Sequence, residues 1–257
     1  MAEELVYNSI HTGVEIDEGI SKTQQIVNLN LLDNWYFGNP VNQKGKTSYT
    51  ATAAGAYAID RWAHTYASNG LNIGSKGITL QKGTASAISL FQPIDDALIQ
   101  QLNGNTLTVS ALSSNNELYY ATGTLVYYDD TTSRNLFFSS MSNNWRVGVA
   151  KVSGDTKQYR VVIYDAVDTT LTIVAAKLEL GDQQTLAHQD KSGNWVLNEI
   201  PNYGEQLLKC QGYYQLFSSA NARPSNLADY RPSMRANPAV GTIVINGTTY
   251  YFSDANM

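Results

Sequence analysis

The sequence predicts an all-β protein whose main domain is a β-sandwich or barrel, with one helix before it and a β-hairpin after it. Short runs rich in Thr, Val, Ile and Tyr recur between residues 28 and 181, and clusters of Gly, Asn, Ser and Asp separate them. Strands joined by turns at regular intervals have this pattern. Helical periodicity is strongest in residues 10–27. Near the end, Asn246-Gly247 between two β-prone runs predicts a type I′ hairpin turn.

Residues 1–27 are predicted to form a helical segment for attachment and oligomerisation. Four residues share one stripe of this helix, at spacings of four, three and four: Ile16, Ile20, Thr23 and Val27. Thr12 and Glu15 form a capping-box pattern at its start. A helix of about 15 residues is marginal alone, so its stripe needs a partner. The stripe is expected to pack either against the chain's own domain or against the same helix in symmetry-related copies, and the sequence leaves both alternatives open.

Residues 28–181 are predicted to form the sandwich. Its candidate strands are residues 56–62, 77–80, 87–91, 106–110, 122–128, 145–152, 158–164 and 170–180. One helix is predicted over residues 95–102, because it follows Pro93 and ends at Asn103-Gly104. A short helix across one end of a sandwich is common in jelly rolls. Trp35 and Trp62 have apolar neighbours, which favours core positions over a ligand platform.

Residues 182–257 are predicted to form a C-terminal extension. A helix is expected from about Ile200-Pro201 to Gln211. Residues 223–238 hold three of the six prolines and are expected to be extended and irregular. Residues 242–252 read as the two strands of the hairpin.

Composition excludes several classes of function. Charged residues make up 15% of the 257 residues, against roughly 25% in an average protein. A net charge of −5 and a pI of about 5.1 argue against nucleic acid and anionic membrane surfaces. No apolar run is long enough to insert into a bilayer, and the N-terminus lacks the pattern of a signal peptide. The 17 tyrosines and the neutral polar side chains suit a neutral polar partner such as glycan.

The sequence predicts no catalytic residue, no metal site and no cofactor. Nucleophile elbows, P-loops, zinc-protease motifs and dinucleotide fingerprints are all absent. The lone Cys210 is expected to be a buried structural thiol, because no histidine is placed to activate it. Asp129-Asp130 begins a polar stretch for which a hairpin loop is favoured over a calcium site.

Two segments combine aromatic rings with planar polar groups, as sugar binding requires. The first predicted loop carries Trp145 beside Asn143, Asn144 and Arg146. The second places Tyr119 and Tyr120 after Asn115-Asn116. The alternative for Trp145 and Tyr120 is a core position at a strand end, which such residues take more often.

Five phrases resemble tail-fibre and receptor-binding proteins of bacteriophages and prophages. The first phrase is Asn-Leu-Leu-Asp-Asn-Trp-Tyr-Phe at residues 30–37, which continues through residues 39–43. The other four phrases lie at residues 57–62, 175–181, 203–214 and 231–238. The resemblance implies a jelly-roll domain akin to carbohydrate-binding modules and a place in the virion. Residues 12–17 also resemble the trimerisation helix of phage fibres, which implies a homotrimer. The family's receptor-contact loops vary, so the resemblance assigns no binding residue.

The sequence therefore predicts a phage virion protein, made in the bacterial cytoplasm, that recognises a bacterial surface polysaccharide. The N-terminal segment is expected to contact other virion proteins, and trimerisation to strengthen weak binding sites. The low charge favours recognition by stacking and hydrogen bonds over ion pairs. The alternative is an architectural virion protein, such as a head fibre, capsid decoration or collar component. A glycan hydrolase is the least favoured function.

Overall fold

The computed structural model describes residues 28–140, 145–153 and 158–256. This part of the chain is mostly β-structure arranged in several antiparallel sheets, which confirms the all-β class. The predicted N-terminal helix lies outside the described residues. Its oligomerisation stripe, Ile16, Ile20, Thr23 and Val27, lies outside them too.

The described residues contain sixteen strands, two α-helices and two 3₁₀ turns. The strands are β1 Ser48–Thr50, β2 Ala63–His64, β3 Gly70–Gly74, β4 Gly77–Gln81, β5 Ile88–Ile94, β6 Thr106–Ser113, β7 Leu118–Thr124, β8 Arg134–Phe138, β9 Trp145–Val152, β10 Gln158–Asp165, β11 Thr170–Leu180, β12 Ala187–Gln189, β13 Trp195–Leu197, β14 Tyr214–Phe217, β15 Ala239–Ile245 and β16 Thr248–Asp254. The helices are α1 Asp96–Leu102 and α2 Tyr203–Gln211, and the 3₁₀ turns are Ala220–Ala222 and Leu227–Asp229.

Two large antiparallel sheets share one hydrophobic core. The six-stranded sheet has the order β1-β3-β4-β11-β6-β7, and the five-stranded sheet has the order β2-β5-β10-β9-β8. Val109 of β6 and Val161 of β10 are both fully buried in this core, as are Phe37 and Trp62. Because strand side chains alternate between faces, each sheet has a second face that points away from the core.

Several elements lie where the sequence predicts them. Strands β9, β10 and β11 match the predicted residues within one position, and α1 starts one residue later than expected. Helix α2 begins after Asn202, whose side chain accepts hydrogen bonds from the backbone of Gly204 and Glu205. The hairpin of β15 and β16 is also confirmed, with positive φ at Asn246 (48°) and Gly247 (78°).

The strand predicted over residues 56–62 is wrong, because this segment is a buried turn. Arg61 has a positive φ of 68°, which no strand residue adopts. Backbone hydrogen bonds close the turn from Trp62 to Ile59 at 3.2 Å and from Ala58 to Trp62 at 3.0 Å. The Trp62 ring donates through Nε1 to the Asn34 carbonyl at 3.0 Å. Tertiary contacts therefore override a run of residues with strand propensity.

The C-terminal residues contact residues on either side of β5 through polar groups. The Arg61 guanidinium lies 3.5 Å from the centre of the Tyr213 ring, and Arg235 bonds Asp95 at 2.6 Å. Gln43 donates from Nε2 to the Tyr214 carbonyl at 2.7 Å. Residues of the predicted extension thus contact Gln43 and Arg61, which precede β5, and Asp95, which follows it.

Candidate functional site

A groove lies on the outer face of the five-stranded sheet. In β10, Tyr159, Val161 and Ile163 are fully buried in the core, so the residues between them point outward. A cavity of about 310 Å³ opens on this outer face. Its lining combines apolar, aromatic, amide, hydroxyl and guanidinium groups. The lining residues are Thr65, Tyr66, Ser89, Asn135, Phe138, Arg146, Ala150, Val152, Arg160, Val162 and Tyr164.

The groove adjoins a second cavity. A second cavity of about 430 Å³ shares Thr65, Val152 and Arg160 with the first, so the two adjoin. Its other walls include Tyr57 and Gln158. The two cavities together extend over residues of β5, β8, β9 and β10 and over Tyr57, which precedes β2.

Gly148 allows the Phe138 ring to lie across the sheet. The two residues are directly paired between β9 and β8. A Cβ atom at position 148 would overlap the Phe138 ring and lie 2.6 Å from the Phe137 carbonyl oxygen. Glycine at this position therefore sets the shape of one wall of the groove.

Arg146 is held by two aromatic rings at one end of the groove. Its guanidinium carbon lies 4.7 Å from the Phe138 ring centre and 5.0 Å from the Tyr164 ring centre. Its Nε atom is buried and has no hydrogen-bond partner among the described residues. Cation–π contacts of this kind orient the guanidinium plane without occupying its N–H donors.

Arg160 lies farther along the groove and is stacked in a similar way. Its guanidinium carbon is 3.9 Å from the centre of the Phe91 ring, and Nη2 donates to Gln158 Oε1 at 2.7 Å. Its buried Nε also lacks a partner within the described part of the chain. Burial lowers the pKa of Arg160 to about 10, and proximity to Tyr57 partly opposes this. The group is still cationic at neutral pH.

The groove holds positive charge without a carboxylate to balance it. Neither Arg146 nor Arg160 forms an ion pair with any residue that the structure describes. Asp165 ends β10, but it is fully buried and accepts from the backbone N–H groups of Val167 and Asp168. The outer face of β9 and β10 is therefore cationic, which the chain's net charge of −5 does not reveal.

Two of the residues that the sequence selects for sugar binding meet at the hydrophobic core that the two large sheets share. Trp145 is only 3% exposed, and its ring centre lies 4.4 Å from that of Tyr119. Its Nε1 donates to Glu117 Oε2 at 3.2 Å. Trp145 thus occupies the core position that was the alternative interpretation, because it lies on the same face of β9 as the buried Val147 and Val149. Its ring offers no open face to a sugar here.

The other selected residues lie apart from this pair. The segment predicted as a loop around Tyr119 and Tyr120 is strand β7. Tyr120 is 53% exposed on the outer face of the six-stranded sheet, away from the groove. Arg146 lines the groove on the other sheet. Asn143 and Asn144 lie outside the described residues.

Sequence reasoning missed Phe138, Arg160 and Tyr164 as site residues. The alternation of β10, Gln-Tyr-Arg-Val-Val-Ile-Tyr, places Arg160, Val162 and Tyr164 on one face. The sequence alone therefore contains the pattern that groups these three residues. The sequence does not predict where Phe138 lies, because it does not predict β8 and because the pairing of β8 with β9 contains an irregularity.

In the polar stretch that begins at Asp129-Asp130, Asp130 forms ion pairs with two cations of this chain. Asp130 Oδ1 contacts Arg134 at 2.6 Å and Lys151 at 2.7 Å. These two side chains hold the pKa of Asp130 well below its usual range. Among the described residues, no three His, Cys, Asp or Glu side chains form a cluster that could hold a metal.

Cys210 is fully buried on α2, and burial raises the pKa of its thiol far above the ordinary value. The expectation of a buried thiol is confirmed. A thiol in this state is a poor nucleophile, because the thiolate is the reactive form.

Comparison with protein-family models, with curated proteins and with solved structures found no match. Neither α-helix in the described part of the chain is long and apolar enough to cross a bilayer.

Proposed function

We propose that this chain is a bacteriophage virion protein of the tail-fibre or receptor-binding type, which recognises a glycan on the host surface. The groove on the outer face of the five-stranded sheet is the observation that carries this proposal. Sugar recognition needs apolar surface for C–H faces and planar polar groups for hydroxyls. The groove offers Val162 and Tyr164 for the first, and Asn135, Gln158 and two arginines for the second.

The sandwich that carries the groove is, in this proposal, a jelly roll. The chain crosses between the two large sheets six times: from β1 to β2, β2 to β3, β4 to β5, β5 to β6, β7 to β8 and β10 to β11. Repeated crossing of this kind is expected for a double-sheet jelly roll. The resemblance of residues 30–37 and 175–181 to phage fibre proteins supports the same assignment.

A screen against purified bacterial surface polysaccharides tests the function. We expect binding to at least one polysaccharide, and we expect Ala150→Trp to abolish it by filling the floor of the groove. Tyr120→Ala is the matched control, because Tyr120 lies exposed on the other sheet. Both variants are checked for folding by circular dichroism. The proposal fails if no polysaccharide binds, and the site is misplaced if only Tyr120→Ala reduces binding.

Trimerisation through residues 1–27 and contact of this segment with other virion proteins belong to the same proposal. The motivating observation is the stripe of Ile16, Ile20, Thr23 and Val27. Light scattering of the full chain at micromolar concentration is expected to give a trimer. A mass of 28.2 kDa, or a trimer that survives deletion of residues 1–27, contradicts this assignment.

An architectural role in the virion is the second candidate, and one observation favours it. Val240 and Val244 are 55% and 58% exposed on β15, an edge strand of the three-stranded sheet β14-β16-β15. Exposed apolar side chains on an edge strand are typical of subunit contacts. Loss of particle assembly in Val244→Asp, combined with no polysaccharide binding by the native chain, would favour this role over host recognition.

A further inference from the structure

We propose that the groove recognises the anionic groups of an acidic glycan, and that Arg146 and Arg160 are the residues that bind them. The ligand chemistry is a carboxylate or phosphate carried on a sugar chain. This inference rests on the proposed function and names the substrate class of the same groove. It differs from the expectation, drawn from overall charge, that recognition avoids ion pairs.

The orientation of the two guanidinium groups supports this assignment. Arg146 lies against Phe138 and Tyr164, and Arg160 lies against Phe91. Stacking on rings fixes the plane of each guanidinium without using its in-plane donors. One of these donors, Nη2 of Arg160, bonds Gln158, and the Nε atoms of both arginines have no partner among the described residues. Because the side chains are already oriented, less conformational entropy is lost when an anion binds.

The absence of competing carboxylates supports it further. The other cations of the described chain that have ion pairs do not line this groove: Arg61 pairs with Asp33, Arg134 and Lys151 with Asp130, Lys177 with Glu199, and Arg235 with Asp95. The two groove arginines have no such partner within the described residues. A partly desolvated cation without a counter-ion gains more from a bound anion than a solvated one does.

The spacing of the two arginines indicates a polymer. Arg146 is paired with Tyr164 across β9 and β10, and Arg160 lies four residues from Tyr164 along β10. Four residues of strand span about 13 Å. Val162, which is paired with Gly148, provides an apolar floor between the backbone positions of the two cations, and Ala150 lies directly opposite Arg160. An acidic polysaccharide with charged groups on successive repeats fits two cations whose backbone positions are separated in this way.

Binding to an array of bacterial polysaccharides tests the proposal. The array contains neutral chains, chains with uronic-acid carboxylates and chains with phosphodiester links, so its arms distinguish carboxylate from phosphate. We expect the bound chains to be acidic. Arg146→Gln and Arg160→Gln are each expected to weaken binding about tenfold or more, as loss of a charge-assisted hydrogen bond predicts. Binding should also weaken as salt rises.

Lys76→Gln is the matched control, because it removes one positive charge from an exposed turn between β3 and β4. Arg146→Lys and Arg160→Lys keep the charge and lose the planar donors, so they should bind more weakly than the native chain. Thermal unfolding of each variant separates loss of binding from loss of fold.

The outcomes distinguish the two proposals. Binding of neutral chains only, unaffected by the arginine variants, overturns this inference and leaves host-glycan recognition intact. Binding to no chain overturns host-glycan recognition and this inference together. Acidic chains that bind equally well to the native chain and both Arg→Gln variants also contradict the assignment of the two arginines.

Discussion

Replacing His64 with leucine should change how the stability of this protein depends on pH. His64 lies in β2, is 2% exposed, and its Nε2 has no hydrogen-bond partner among the described residues. Burial lowers its pKa from 6.5 to about 4. Between these values the unfolded chain binds a proton that the folded chain does not, so acid favours unfolding. At about 1.4 kcal/mol per pH unit, the native chain loses about 3 kcal/mol from this group as pH falls from 6.5 to 4.

Asp60 acts in the opposite direction over the same range. Burial raises its pKa from 3.8 to about 6, although hydrogen bonds from Gln43 partly oppose this. The folded chain therefore keeps a proton that the unfolded chain releases, and stability falls by about 3 kcal/mol as pH rises from 4 to 6. The two effects nearly cancel in the native protein. Each becomes visible only when the other group is removed.

Urea unfolding followed by tryptophan fluorescence between pH 4 and 7.5 measures both effects. His64→Leu should be most stable near pH 4 and lose stability toward pH 6. Asp60→Asn should show the reverse, with stability falling as pH drops from 6.5 to 4. The reasoning is refuted if the native chain and both variants give parallel curves of unfolding free energy against pH.

Three further substitutions test local features. Gly148→Ala should lower the free energy of unfolding by about 1–3 kcal/mol and weaken polysaccharide binding, because the new methyl displaces the Phe138 ring. An unchanged free energy of unfolding in urea contradicts this prediction. Asn34→Ala should cost about 3 kcal/mol or more by thermal unfolding, because the buried amide bonds both the N–H and the C=O of Val41. Gly247→Ala should lower the free energy of unfolding by about 1 kcal/mol, because a φ of 78° strains alanine, although no atom lies within 4 Å of the added Cβ. Gly247→Asn should lower it less, because asparagine tolerates this φ.

The parts of the fold that sequence predicts well are those governed by local chemistry. Thr170–Leu180 is a strand over the predicted residues, because a run rich in β-branched residues lies between turn residues. Asn246 and Gly247 adopt the positive φ that a type I′ turn requires. In both places the deciding information lies within about a dozen neighbouring residues.

The groove could not be predicted in the same way, because its walls come from four strands whose pairing depends on distant residues. Phe91, Phe138 and Arg160 belong to β5, β8 and β10. No single stretch of sequence brings them together. Arg146 was selected as a neighbour of Trp145, yet the two side chains point to opposite faces of β9. The residue was identified, but the reason for identifying it was wrong.

The distribution of charge also limits which anions this surface can bind. Net charge is a sum over the whole chain, and here most carboxylates with a cation partner lie away from the groove. Those pairs are Asp33 with Arg61, Asp95 with Arg235, Asp130 with Lys151 and Arg134, and Glu199 with Lys177. Arg146 and Arg160 have no ion-pair partner among the described residues. Two cations are far fewer than the roughly six to ten phosphate contacts of a typical DNA-binding protein. For the proposed acidic glycan, this small number predicts a polymer with sparse charge, in which apolar sugar faces separate the anionic groups as Val162 and Gly148 separate the backbone positions of the two arginines.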